Sequence, residues 1–255
     1  MRIAHILPVN VQNKVPRRSM QFYLAHLIEK YPDVYRELAE SGKGANEFRI
    51  LDNGCYELKK PVDLSVLYGA AQAINADEVV VPDALFDSKT TIEMAQEYLP
   101  IMSMWPCQRM VVAQGKSWGE VRDCALQLER MRWVDTVGLP KYVSYPDFEG
   151  NLYGVKGRLI MSWSLRKTMD TKIHFLGSGV GTAELIGSNV SHIRSMDSSL
   201  WMMFCERHML PWAARPAGME AVLEDNETLK PHLIEDYIRI LDHYLSRSVI
   251  NLGGW

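Results

Sequence analysis

Several short apolar segments of this 255-residue chain end on an acidic or amide side chain. Carboxylates that meet in one pocket suit covalent catalysis and proton transfer, because one can attack an electrophilic carbon while another gives or takes a proton. A carboxamide beside them adds a hydrogen-bond donor and an acceptor for recognition. The residues are Asp52 after FRIL, Asp83 after EVVVP, Gln114 after RMVVA and Asp197 after HIRSM.

Two glycine-bearing segments belong to the same pattern. Gly138 and Leu139 lie in TVGLP, and Gly177 opens the sequence GSG directly after KIHFL. Glycine is favoured where a backbone must turn sharply or approach a ligand closely. If the apolar segments are parallel strands of one barrel, these turns, the three carboxylates and the amide converge at its C-terminal end.

Each feature has a simpler explanation on its own. The sequence Asp-Asn-Gly at 52–54 is typical of a tight turn. Asp83 and Asp197 precede helical segments and would serve as N-caps. Gln114 would be an ordinary polar loop residue, and the glycines would form a flexible turn. Independent turns do not require an acid or amide at four separate strand ends, so the complete set favours a binding or catalytic site.

The elements that position these residues alternate between strand and helix. Val, Ile and Leu dominate the strand segments without polar alternation, which is typical of a parallel sheet covered by helices. Seven strands are predicted, at 2–7, 48–51, 78–82, 109–113, 136–139, 172–176 and 190–196. Apolar residues at helical spacing predict helices within 19–31, 90–102, 117–133 and 198–209.

This order of elements predicts a TIM (β/α)8 barrel in a single domain spanning 1–255, with one strand not located. No glycine-rich dinucleotide fingerprint follows the first strand, which argues against an open doubly wound sheet. Residues 220–255 carry a net charge of −4 and are predicted to form an acidic helical segment.

The composition restricts the possible partners. The net charge is −3, so a contact with nucleic acid needs a local basic patch rather than a globally basic surface. No apolar run has the length of a membrane span, and the first residues make a poor signal peptide, so a cytoplasmic protein is expected. The four cysteines and seven histidines show no metal-ligand spacing, and we expect neither a metal nor a cofactor. His174 is interpreted as a buried core or supporting residue.

The order of these motifs resembles the tRNA-guanine transglycosylase superfamily, and it is most similar to the phage DNA 7-deazaguanine transglycosylases. The family has an Asp in a D-S/N-G-x-aromatic motif, a base-reading Asp, a Gln-Gly pair, a Gly-Leu turn, a glycine-rich strand end and a nucleophilic Asp after the eighth strand. The corresponding segments here are DNGCYE, VVVPD, VVAQG, VGLPK, HFLGSG and SMDSS. The similarity runs over 52–197 in matching order, and the family's eight strands would place the missing one within 8–47, unless that strand is irregular.

The resemblance implies a role for each residue. Asp197 would attack the sugar, and Asp52 would carry the proton to and from the base. Asp87 is a rival to Asp83 for base binding, although the spacing after VVVP favours Asp83, and Glu57 is a nearby acid without an assigned role. Tyr56 and Leu176 would cover the two faces of the base. The complete base-binding set is Asp83, Gln114, Gly138, Leu139, Tyr56, Leu176 and Gly177.

The chain departs from the tRNA enzymes of this family in one respect. Those enzymes carry a zinc subdomain with a CxCxxC…H pattern after the nucleophile, whereas only Cys205 and His208 stand there in this chain. We therefore expect no zinc subdomain and a compact phage-type enzyme that acts on DNA in the cytoplasm of a bacterial host. A monomer is expected, since some relatives dimerise through the zinc region.

The predicted activity is base exchange, in which guanine in DNA is replaced by a free 7-deazaguanine through a covalent Asp–sugar intermediate. A base within a duplex is out of reach, so the target nucleotide is flipped out or single-stranded. Alternatives are tRNA as the substrate, a non-catalytic barrel that binds a base or a partner, and a hydrolase in which water resolves the ester. Arg194 could instead point into the barrel. The candidate phosphate contacts are Lys14, Arg17, Arg18, Arg158, Arg166 and Arg194.

Overall fold

Eight parallel strands form a closed barrel in sequence order. The computed structural model describes residues 2–9, 20–41, 47–141, 154–177 and 193–198. Each strand pairs with the next one along the chain, and the last strand closes the ring by pairing with the first. The strands are β1 Arg2–His5, β2 Met20–Leu24, β3 Phe48–Asp52, β4 Glu78–Val80, β5 Gln108–Val112, β6 Thr136–Pro140, β7 Lys172–Leu176 and β8 Ile193–Ser198.

Helices lie between successive strands from β2 to β7, so the predicted TIM barrel is confirmed. Among the described residues, none of the helices combines the length and the apolar character that crossing a membrane requires. The helices are α1 Ala25–Lys30, α2 Pro32–Ser41, α3 Cys55–Leu58, α4 Leu64–Ile74, α5 Ser88–Met102, α6 Trp118–Glu129 and α7 Gly154–Leu165.

The helix α6 shows how the local sequence produces these elements. Ser117 caps its first turn, because the Ser117 side chain accepts a hydrogen bond from the Glu120 backbone N–H at 3.2 Å. The Glu120 carboxylate in turn accepts the Lys116 N–H at 2.8 Å, one residue before the donor of a capping box. The predicted apolar face packs on the barrel, with Val121, Cys124, Ala125 and Leu128 buried.

The prediction for residues 19–31 is wrong in its first half. Met20–Leu24 is the strand β2, and the helix begins only at Ala25. All five residues of β2 are buried, so the strand shows no polar alternation and its apolar spacing also fits a helix. The pairing of Met20–Leu24 with Phe48–Asp52 decides the structure. The eighth strand therefore lies within the range 8–47 that the family resemblance implied.

The end of β8 differs from its predicted position. The strand β8 ends at Ser198 rather than at residue 196, so Asp197 lies inside the strand and pairs with Ala4 of β1. Gly138 and Leu139 lie within β6, in agreement with the predicted strand over 136–139 and not with the turn that the family resemblance implied. Of the predicted helix over 198–209, Ser198 lies in β8 and the other residues fall outside the described ones, as does the acidic segment 220–255.

A buried ion pair occupies the N-terminal end of the barrel. The Arg194 guanidinium donates to both carboxylate oxygens of Glu78, at 2.8 and 2.6 Å, and also to Thr136 Oγ1 at 3.0 Å. Glu78 and Thr136 are the first residues of β4 and β6, and both are fully buried. Side chains from alternate strands thus form one layer, as is usual in barrels of this kind.

An irregularity in β8 brings Arg194 into this layer. Ile173 of β7 lies opposite Ile193, whereas the next residue of β7, His174, lies opposite Ser195. Arg194 is therefore the extra residue of a β-bulge, which changes the direction of a side chain without ending the strand. The guanidinium reaches Glu78 and lies 5.4 Å from the centre of the Phe48 ring.

We expect Arg194→Leu to lower the free energy of unfolding by about 3 kcal/mol, because it leaves the Glu78 carboxylate buried without its cation. The matched control is Arg36→Leu, since Arg36 pairs with Asp33 on the surface, where both side chains are more than half exposed. That variant should change stability by less than about 1 kcal/mol. Denaturant unfolding of both variants measures the difference, and equal small losses would contradict the structural role of the buried pair.

Candidate active site

Asp52 is the last residue of β3 and is half-buried. Its Oδ2 accepts the Gly54 backbone N–H at 2.9 Å, and Gly54 has a left-handed φ of 76°, so the tight-turn interpretation of this segment is correct as well. Burial, followed by the nearby Glu57 carboxylate, raises the pKa of Asp52 well above its usual range.

Asp83 lies three residues beyond the end of β4, and only 3 % of its surface is exposed. Two carboxamides bind its two oxygens: Asn53 Nδ2 donates to Oδ1 at 2.7 Å, and Gln114 Nε2 donates to Oδ2 at 2.6 Å. Burial raises the pKa of Asp83 to about 6, and the two amide donors limit that rise by stabilising the charged form.

Asn53 was not predicted to have a role of its own. Its Nδ2 also donates to the Val81 carbonyl at 2.9 Å, and its Oδ1 accepts the Cys55 N–H at 2.8 Å. The side chain is 1 % exposed and joins the end of β3 to the segment after β4. In the sequence it could only be read as the middle residue of a turn, because the partner Asp83 is 30 residues away.

Gln114 has its amide group fixed at both ends. Besides donating to Asp83, it accepts the Phe86 backbone N–H through Oε1 at 3.1 Å. Phe86 adopts a left-handed φ of 62°, which is rare for a bulky residue, and its ring is 46 % exposed. The network Asn53–Asp83–Gln114 therefore also fixes the backbone of Phe86.

Asp197 is 4 % exposed and is held through one oxygen. Its Oδ1 accepts the Gly177 backbone N–H at 2.9 Å and lies 3.1 Å from Nε2 of His174. His174 is fully buried, as the sequence indicated, and contacts the predicted nucleophile directly. The apolar neighbours of His174 in KIHFL indicate a buried side chain, but its partner on β8 could not be identified from them.

The three carboxylates share one region at the C-terminal end of the barrel. Asp83 and Asp197 each contribute to the raised pKa of Asp52, although both contribute less than burial and Glu57 do. Asn53, the residue next to Asp52, bonds directly to Asp83. The structure therefore brings together the acidic residues from three separate strand ends, and their chemical roles remain predictions.

Asp87, the rival of Asp83, has a different function in the fold. It is the N-cap of α5, where its Oδ1 accepts the Thr90 N–H at 3.0 Å and its Oδ2 accepts the Thr90 hydroxyl at 2.8 Å. These hydrogen bonds from Thr90 lower the pKa of Asp87. The N-cap interpretation considered for Asp83 thus applies to Asp87.

Tyr56 is exposed, whereas Leu176 and Gly138 lie against each other. The Tyr56 ring is 41 % exposed, with Lys59 Nζ 4.7 Å from its centre. Leu176 is half-buried and lies over Gly138, where an added Cβ would come within 2.8 Å of Leu176 Cδ1. The Leu139 side chain is fully buried, so only its backbone could reach a base.

The prediction that Arg158 contacts phosphate is wrong. Arg158 is fully buried, and its guanidinium donates to the carbonyl oxygens of Leu176 at 2.6 Å, Gly177 at 3.0 Å and Leu139 at 3.3 Å. The guanidinium also lies 4.5 Å from the centre of the Phe175 ring. A cation with these donors engaged inside the protein stabilises the ends of β6 and β7 and is not available to DNA.

Of the other predicted phosphate contacts, the structure describes Arg194 and Arg166. Arg194 is paired with Glu78 at the N-terminal end of the barrel, so its predicted phosphate contact is also wrong. Arg166 is exposed, but it follows α7 and leads to the start of β7, the end of the barrel opposite the carboxylates. Lys14, Arg17 and Arg18 lie outside the described residues.

Within the described ranges, no group of three His, Cys, Asp or Glu side chains is arranged to hold a metal ion.

We expect Asn53→Ala to raise the pKa of Asp83 above its value of about 6, because the variant removes one of two amide donors to the carboxylate. Thr90→Ala is the control, since it removes a donor from Asp87 instead. Titration of the aspartate carboxyl groups by ¹³C NMR measures both. An unchanged or lower pKa of Asp83 in Asn53→Ala would contradict the described network.

No protein-family model and no curated protein sequence matches the chain. Among solved structures, the chain is similar to the YdjI aldolase of Escherichia coli K12, with a TM-score of 0.54 and 10 % sequence identity. The match covers 99 % of this chain and 91 % of the aldolase. At this identity the likeness bears on the fold alone, and it agrees with the closed barrel described above.

Proposed function

We propose that the protein is a base-exchange glycosyltransferase that replaces guanine in DNA with a 7-deazaguanine. The observation that carries this proposal is the grouping of three carboxylates in unlike surroundings. Asp52 has a raised pKa, Asp197 contacts the Gly177 N–H and Nε2 of His174, and Asp83 lies between two amides. Carboxylates in unlike environments take different roles in acid–base and covalent chemistry.

In the first step, Asp197 attacks the anomeric carbon C1′ of the target nucleotide. A bond forms between the carboxylate oxygen and C1′, the bond from C1′ to N9 of guanine breaks, and its electron pair leaves with the base. Asp52 in its neutral form gives its proton to the departing guanine. Burial and the neighbouring acids favour that neutral form, which a general acid requires.

In the second step, the incoming 7-deazaguanine gives its N9 proton to the Asp52 carboxylate and attacks C1′ through N9. The ester bond to Asp197 breaks, and the Asp197 carboxylate is regenerated. Two successive inversions at C1′ retain the original stereochemistry, as in retaining glycosidases. Protons and charges balance over the two steps, so the cycle needs no further reactant.

Recognition of the base is assigned to Asp83. Guanine and 7-deazaguanine both present a ring N–H and an amino group on one edge, and a carboxylate accepts from both. The amides of Asn53 and Gln114 fix the plane of the Asp83 carboxylate, and each of its oxygens has a second lone pair for the base. Tyr56 and Leu176 are proposed to cover the two faces of the base.

The choice of DNA over tRNA rests on the sequence. The chain lacks the cysteine pattern of the zinc subdomain that the tRNA enzymes of the family carry. The target base must leave the stack to reach three carboxylates that are half or fully buried, so single-stranded DNA or a flipped nucleotide is the form that binds.

The proposal is tested by treating single-stranded DNA with the protein and 7-cyano-7-deazaguanine, followed by mass spectrometry of the nucleosides. We expect the modified deoxynucleoside with the native protein, and a loss on the order of 10⁴-fold or more with Asp197→Ala, because the nucleophile is gone. Asp87→Asn is the matched control and should keep its activity, since Asn also caps a helix.

Three results would contradict the proposal. Full exchange by Asp197→Ala would exclude that residue as the nucleophile. Incorporation into tRNA but not into DNA would favour the alternative substrate. Release of free guanine without incorporation would indicate a hydrolase.

We expect the affinity for free guanine to fall as the pH drops below about 6, because a proton then competes with the base for the Asp83 carboxylate. The fall approaches tenfold per pH unit well below the pKa. In Asp83→Asn the affinity should be low and nearly independent of pH, whereas Asp87→Asn should follow the native profile. Calorimetric titrations with guanine from about pH 4.5 to about pH 8 measure this affinity. Tighter binding at low pH would contradict the assignment of base recognition to Asp83.

A further inference from the structure

We propose that a buried hydrogen-bond chain from Glu78 to Asp197 fixes the tautomer of His174 and leaves Oδ2 of Asp197 as the attacking oxygen. The assignment of the attack rests on the proposed function, whereas the tautomer is a property of the folded protein alone. His174 acts as a positioning residue, because it touches the nucleophile and not the substrate.

The chain of contacts runs along the inside of the barrel. The Arg194 guanidinium is paired with Glu78 at the N-terminal end, and its Nε donates to Ser195 Oγ at 3.1 Å. Ser195 Oγ lies 2.8 Å from Nδ1 of His174. Nε2 of the same ring lies 3.1 Å from Oδ1 of Asp197. Four consecutive polar contacts thus connect the two ends of the barrel.

The direction of each hydrogen bond follows from what the groups can do. A guanidinium only donates, and an ionised carboxylate only accepts. Nε2 of His174 must therefore carry the hydrogen that faces Asp197, and in a neutral ring Nδ1 is then an acceptor. Ser195 satisfies both neighbours, because its oxygen accepts from Arg194 while its hydroxyl hydrogen is donated to Nδ1.

The surroundings of His174 favour a neutral ring. The side chain is fully buried and stacks on Phe22, with the ring centres 5.8 Å apart and the planes within 10°. Burial lowers the pKa of His174 and the nearby Arg194 lowers it further, although the hydrogen bond to Asp197 opposes both. A neutral His174 ring orients the Asp197 carboxylate and adds no second positive charge near Arg194.

A second donor acts on the same oxygen of Asp197. The Gly177 N–H reaches Oδ1 at 2.9 Å, and Arg158 holds the Gly177 carbonyl at 3.0 Å. Gly177 has a left-handed φ of 64°, so its peptide orientation is set by the backbone as well as by Arg158. Both donors engage Oδ1, and no hydrogen bond to Oδ2 is found among the described residues. The lone pairs of Oδ2 are thus the ones available for attack.

The tautomer is tested by ¹⁵N NMR of the histidine rings in the native protein, with His174→Gln identifying the signals of His174. We expect a protonated Nε2 and an unprotonated Nδ1. In Ser195→Ala the Nδ1 signal should shift, because its hydroxyl donor is lost. A protonated Nδ1 or a doubly protonated ring in the native protein would overturn the proposal, whether or not the protein catalyses base exchange.

The effect on Asp197 is tested by three substitutions of His174 in the exchange assay. His174→Gln places an amide N–H near the position of Nε2, whereas His174→Asn places it near Nδ1 and His174→Leu has no donor. We expect kcat to be retained within about tenfold by Gln and to fall about 10–100-fold with Asn and Leu, which is the usual effect of losing a supporting partner. KM for the free base should not change, because Asp83 is untouched.

Equal kcat values for His174→Gln, His174→Asn and His174→Leu would overturn the proposal that His174 leaves Oδ2 of Asp197 as the attacking oxygen. Absence of exchange in the native protein would instead refute the proposed function, and the NMR result would still decide the tautomer. Thermal unfolding of the three variants accompanies the assay. A loss of kcat that merely follows the loss of stability across the variants would count against a positioning role.

Discussion

Burying a carboxylate makes its charged form costly, and hydrogen-bond donors offset that cost. The three carboxylates of the site have different numbers of hydrogen-bond donors. Asp83 has two amide partners and Asp197 has two N–H partners on one oxygen, whereas Asp52 has the single N–H of Gly54. Burial, followed by the Glu57 carboxylate, raises the pKa of Asp52 well above its usual range, and the single donor offsets only part of that rise. This raised pKa supports the proposed role of Asp52 as a general acid.

The donors depend on parts of the barrel that no substrate would touch. Arg158 holds the peptide of Gly177, and Arg194 acts through Ser195 on the ring of His174. Both guanidinium groups lie inside the fold and have partners that complete their hydrogen bonding. A closed parallel barrel makes this possible, because side chains at its N-terminal end and residues at its C-terminal end belong to the same strands.

Much of the architecture could be predicted from local sequence. Runs such as Val79–Val81 indicate buried parallel strands, and the spacing of Val121 and Cys124 indicates a helix that packs through one face. The strand β2 could not be recognised, because five consecutive buried residues carry no period that separates a strand from a helix. Only its pairing with β3 distinguishes the two.

The three carboxylates could be identified from the sequence, but the side chains that position them could not. Acidic residues at strand ends are visible in the sequence, because the fold places strand ends together. The hydrogen-bond partners of Asn53 and His174 lie 30 and 23 residues away in the sequence, and the partner of Arg194 lies 116 residues away. Local sequence patterns do not reveal such pairs. Charge alone suggested that Arg158 and Arg194 bind phosphate. Burial, which depends on the tertiary structure, gives both of them an internal role instead.

The most direct measurement is the mass of the protein after reaction with a guanine-containing single-stranded oligonucleotide and rapid denaturation, followed by peptide mapping. We expect an adduct whose mass is that of the oligonucleotide less one guanine, attached to the peptide that contains Asp197. Base exchange that proceeds without such an adduct, or an adduct attached to Asp52, would contradict that expectation.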